Sequence, residues 1–176
     1  AKDADRLTWA APEGRWRVMT FHERRMYTGT HVEANFSDTL PYINIIDREA
    51  VARFIEVTHE AYLERAPEAF DGFVEAVFTD EPSLMTSYLK DAEGLLPAVP
   101  WSRTFRREFR EAVGRDVLPL LPALFYGCGP ETPHHRAAYW GFVTELVEKH
   151  FFQQLEDWCR AHNTVLTGHA LYEERL

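Results

Sequence analysis

Apolar positions along the chain recur with two periods, two and about 3.6 residues, and the switches between them predict alternating strands and helices. Trp16–His22 alternates, with Val18, Thr20 and His22 on one side and Arg17, Met19 and Phe21 on the other. It reads as a strand, and Pro41–Ile46 as the next. The connection Glu23–Leu40 has no helical period and carries Gly29, Asn35, Ser37 and Asp38 as turn formers. Parallel neighbours need a crossover, so Trp16–His22 is expected to run antiparallel or to leave the main sheet. Asp47 then offers a helix cap, and Val51, Phe54, Ile55, Thr58, Ala61 and Tyr62 follow at helical spacing until Pro67. Phe73–Thr79 returns to period two. Strand, helix and strand make a βαβ unit with parallel strands.

After the strand, residues 83–132 form an excursion with a helix from Ser102 to Val113 and a proline-interrupted helix within Arg115–Phe125. Because it leaves the end of a strand, it is expected to cover the functional face as a lid, with Tyr88 and Trp101 lining a pocket or filling the excursion's own core. Thr132 opens the longest helix, with Trp140, Val143, Leu146, Val147, Phe151, Leu155 and Trp158 as its apolar face. Thr164–Leu171 completes a second βαβ, with Val165, Thr167 and His169 on one face.

The stretch Val74–Pro82 organises this pattern. Its apolar run stops at Asp80 and Glu81, ahead of Pro82. Alternation assigns Val74, Ala76 and Phe78 to the helix-covered face, and Glu75, Val77, Thr79 and Glu81 to the other. Strand C-termini are where α/β folds bind ligands. A carboxylic acid partly desolvated there becomes a proton donor at neutral pH. The plainer reading is a strand entering a turn with solvated acids.

With 176 residues and 45% hydrophobic content, the chain suits a single α/β domain. It begins at Ala1 rather than methionine, and an excised piece of a longer protein is expected. The net charge of −9 argues against nucleic acid or an anionic membrane as partner. No signal-peptide pattern occurs, and no apolar run reaches the ~20 residues of a membrane helix. Cys128 and Cys159 lack metal-ligand spacing and read as free thiols. Phosphate loops, HExxH and GxSxG are absent, which removes support for nucleotide, zincin and serine-hydrolase chemistry. The adjacent pair His134-His135 reads as a surface feature at a helix start.

Acids, histidines and an asparagine at strand ends remain. Thr79-Asp80-Glu81-Pro82 resembles the Asn-Glu-Pro end of strand four in retaining TIM-barrel glycosidases. The strings Ile46-Asp47-x-Glu49-Ala50-Val51, Phe54-Ile55-x-x-Thr58-His59-Glu60-x-Tyr62 and Thr167-Gly168-His169 extend the likeness to large bacterial glycoside hydrolases related to α-L-rhamnosidases. The resemblance runs from about Trp16 to the end of the chain. It implies a partial (β/α) TIM-type barrel, and Glu81 as general acid or acid/base of glycosidic bond cleavage. His169, Asp80, Asn44, His22 and Trp101 are then sugar contacts, with Glu173 and Glu174 as further catalytic candidates near His169, and the second carboxylate of retaining barrels is expected on a later strand, beyond Leu176. Asp80 departs from the family's asparagine, which favours an inverting mechanism or a metal.

No cofactor is expected. A divalent metal such as calcium is the alternative, with His22, His169, Asp80 and Glu173 as ligands. Four strands make half of an eight-stranded barrel, so a fragment incomplete on its own, and a homo-oligomer or the rest of the parent chain as partner, are expected. Three classes follow: a glycosidase, a carbohydrate-binding scaffold without turnover, and a metal-dependent hydrolase.

Overall fold

Asp47 starts the first helix as its sequence position predicts. Its carboxylate accepts from the backbone N–H of Glu49 at 3.0 Å and of Ala50 at 3.2 Å, supplying partners to the open helix start. The computed structural model describes residues 8–23, 43–84 and 97–170. Within them lie four helices and a two-stranded parallel sheet. Helix α1 (48–65) contains one π-helical turn, Glu56–Glu60. A short 3₁₀ turn, Pro67–Asp71, precedes strand β1 (Ala76–Asp80). Helix α2 (Phe105–Val113) and the short α3 (Leu121–Phe125) follow. Helix α4 (132–161) runs to strand β2 (Val165–His169), again with one π-helical turn, Glu148–Phe152. The fold class is therefore mixed α/β.

Helix α4 is the spine of the molecule. Its first half buries Tyr139, Phe142, Val143 and Leu146 against Phe105, Phe109, Val117 and Leu120. Its second half buries Phe151, Leu155, Trp158 and Cys159 against Ile45, Val51, Ile55 and Phe70. The described residues 97–125 are thus a packing layer over half of α4. Trp140, expected on the apolar face, is 39% exposed, and its neighbour Tyr139 takes the buried place. The Tyr139 hydroxyl donates to the Pro100 carbonyl, and burial pushes its acidity well below that of a free phenol.

The turn at 44–47 joins the two clusters, because Ile45 enters one and Ile46 the other. Asp47 N–H donates to the Asn44 carbonyl at 2.9 Å. The buried His150 ring, on the π-helical turn of α4, bonds the Ile46 carbonyl at 2.9 Å. These contacts correct one expectation: residues 43–46 form a turn, because Asn44 and His150 take up backbone groups that a strand would offer to a neighbour. Pro41 and Tyr42 lie outside the described residues.

Trp16–His22 is not a strand either. Its aromatic and basic side chains dock on the end of α3, with Phe21 5.9 Å from Phe125 and Arg17 4.2 Å above the Tyr126 ring. Side-chain packing replaces a backbone ladder there. The two remaining strand expectations hold over Ala76–Asp80 and Val165–His169, paired in parallel from Ala76↔Val165 to Asp80↔His169.

Candidate functional site

The register of the sheet brings the candidate residues of both strands to one rim. Asp80 pairs with His169, and Glu81 N–H continues the ladder by donating to the His169 carbonyl at 3.1 Å. Tight pairing depends on Gly168. A Cβ there would sit 1.9 Å from the Thr79 carbonyl oxygen, at a φ of +154° that only glycine adopts readily. His169 Nδ1 and Asp80 Oδ1 stand 3.8 Å apart, both well exposed, so their pairing is weak. The Phe78 ring meets the His169 ring edge to face at 5.2 Å.

Glu81 is where the strand breaks. Its φ is +45°, a left-handed conformation that costs a residue with a Cβ roughly 1–2 kcal/mol. Strain of this kind in a non-glycine residue concentrates at functional sites. The side chain is exposed, whereas a desolvated acid was expected.

Val74, ahead of the strand, packs on the Trp158 cluster as expected, but within β1 the two faces are the reverse of the predicted assignment. Val77 and Leu166 pack on the Trp158 cluster, while Phe78 is 56% and Val165 60% exposed. The helix-facing phase falls on Val77 because it lies beneath the second half of α4, in step with Leu166 across the sheet. Phe78 therefore belongs to the same face as Asp80 and His169 and forms an apolar floor beside them. Sequence reading missed it as a site residue. The shared phase of Phe78, Asp80, Thr167 and His169 was the available signal.

The other candidates are dispersed. Asn44 donates from Nδ2 to the Trp101 carbonyl at 2.8 Å and accepts from Ile46 N–H, so it shapes the turn. Trp101 stacks 4.8 Å from Phe105 on the first cluster, which is the core alternative. His22 is exposed on the segment docked at α3. Glu173, Glu174 and Tyr88 lie outside the described residues. Among the described residues, no three His, Cys, Asp or Glu side chains gather as a metal site would require, and no helix is long and apolar enough to cross a membrane. Cys128 and Cys159 are free thiols, and burial pushes the Cys159 thiol to higher pKa, away from reactivity.

Chemically, the rim offers two carboxylates as acceptors or proton carriers, one imidazole and a flat apolar surface. Such a set suits a polyhydroxylated ligand with one apolar face. Comparison with known proteins gives no match: no family model, no curated protein and no solved structure is similar to the chain.

Proposed function

We propose that the C-terminal rim of β1 and β2 is the acid-bearing corner of a carbohydrate-processing site in a glycoside hydrolase barrel. Glu81 is its general acid, Asp80 and His169 hold sugar hydroxyl groups, and Phe78 carries the C–H face of a ring. A second carboxylate, from a later strand of the barrel, acts on the opposite side of the glycosidic bond. The remaining barrel strands would cover the bare sheet face and dehydrate the acids, since parallel sheets are ordinarily buried on both sides.

The observation carrying this reading is the register that joins Asp80, Glu81 and His169 at one strand end, with Glu81 in a strained backbone. The test is a titration of methyl glycosides into the chain, followed by the ring resonances of His169 and Phe78. Saturable shifts that weaken in Asp80→Asn are expected. No shift with any sugar up to its solubility would overturn the proposal. Binding undiminished in Glu81→Gln, with no turnover in either form, would favour the scaffold reading.

A further inference from the structure

Strand β2 has one edge occupied and one free. Val165 N–H donates to the Glu75 carbonyl, and the His169 carbonyl accepts from Glu81 N–H. Val165, Thr167 and His169 therefore turn their backbone groups toward β1, and by alternation Leu166 and Gly168 turn theirs away from it. Among the described residues no strand lies on that side. The edge also lacks the usual guards against pairing. Residues 165–168 contain no proline, lysine or other charged side chain, and Gly168 leaves its backbone bare.

A groove of about 430 Å³ lies beside this edge, between the second half of α4 and the start of β2. Phe152, Cys159 and Leu166 give it an apolar lining. Glu156 and Arg160 line it as well, but they pair with each other and leave it without net charge. Thr164 completes the lining. This residue is 5% exposed, and its hydroxyl oxygen is buried without a hydrogen-bond partner among the described residues. An unpaired buried hydroxyl costs stability until something supplies a partner.

We propose that the free edge of β2 and its groove receive an extended strand of a partner polypeptide. Outward N–H and C=O groups at strand spacing are matched by another peptide backbone, and side chains entering an adjacent pocket give such pairing its specificity. The strand pairs with the backbone of Leu166 and Gly168, sets a large apolar side chain against Phe152 and Leu166, and offers a polar group to the Thr164 hydroxyl. A second copy of the chain does not meet these demands. Antiparallel pairing centred on Thr167 would bring only Gly168 and Ala170 to the groove and leave it unfilled. The groove lies at the N-terminal end of β2, away from the rim, and its use does not depend on the carbohydrate reading.

Titration of a short blocked peptide, Lys-Thr-Leu-Thr-Val-Lys, into the chain tests the inference, read from the amide resonances of Leu166 and Gly168 and their exchange with solvent. Saturable shifts and slowed exchange at these two amides are expected. Alanine in place of the peptide's leucine should weaken binding by roughly tenfold or more, because the groove is then unfilled. Thr164→Val keeps the side-chain shape and removes the hydroxyl. It should leave the melting temperature no lower and weaken binding severalfold. Methylation of the peptide's backbone nitrogens should abolish binding. Absence of saturation, or equal binding of the methylated peptide, would overturn the proposal. Affinity unaltered by both the alanine peptide and Thr164→Val would remove the groove from the site and overturn it too. Protection of the two amides that rises with the concentration of the free chain would give the edge to a second copy, against the proposal.

Discussion

On one face of the β1–β2 pair, Val77 and Leu166 press into the cluster around Trp158 and Leu155. On the other, Ala76, Phe78, Val165, Thr167 and the rim of Asp80 and His169 stand in solvent. The first face carries the stability of this half of the molecule, because only it removes apolar surface from water. The second keeps an aromatic floor and ionisable groups without any stabilising return. A short parallel pair is marginal by itself, so the packed face must hold the open one in shape.

The sharpest way to break the contrast is to truncate one residue on each side. Leu155 is 1% exposed, and Leu155→Ala should cost about 2–5 kcal/mol by leaving a cavity beneath the sheet. Phe78→Ala, on the open face, should cost under about 1 kcal/mol, as surface changes do. Thermal melts of the two variants check both values. Equal losses would mean that the bare face is covered in solution.

Next comes the link between the strands. Gly168→Ala places a methyl group against the Thr79 carbonyl and should cost on the order of 2–3 kcal/mol through strain and lost pairing. Hydrogen exchange should then accelerate at Glu81 and along β2, while the Tyr139 cluster stays protected.

Much of the helical layer was legible. The cap at Asp47, the proline near the start of α4 and the 3.6-residue spacing are local signals, and local signals survive into the fold. The strands fared worse because period two does not say which face is covered. At Val74–Thr79 both faces contain apolar residues, and the choice was made by α4, some 70 residues away in sequence. Residues 43–46 and Trp16–His22 alternate as strands do, yet their backbone groups or side chains find partners outside any sheet. At the rim, Asp80 and His169 were found from their strand-end positions. The strain at Glu81 had no sequence signal beyond the following proline.

A smaller effect tests whether the strain at Glu81 is real. Glu81→Gly relieves a left-handed residue and should raise stability by up to about 1 kcal/mol, less the entropy lost by a glycine. A lower melting temperature would mean that the side chain stabilises the turn.

The packed side also has a pH signature. His59 lies 5.0 Å from the Trp158 ring and 5.5 Å from that of Phe54, and burial lowers its pKa from 6.5 while Glu60 partly opposes this. The folded value lies below the unfolded one. Between them the unfolded chain binds more protons, so stability falls as pH drops below 6.5 and levels off beneath the folded value. Melts across this window should show a shallower fall in His59→Gln. An unchanged slope would assign the effect to another histidine.

The most direct measurement is hydrolysis of aryl glycosides by the protein, with and without Glu81→Gln. Because Glu81 lies on the solvent-exposed rim, the substitution should move the melting temperature by no more than other surface changes, about 0.5 kcal/mol in stability. Turnover should drop by roughly 10²–10⁴, the usual contribution of a general acid. Turnover that persists while the fold weakens would make Glu81 a structural residue and contradict the division between the two faces.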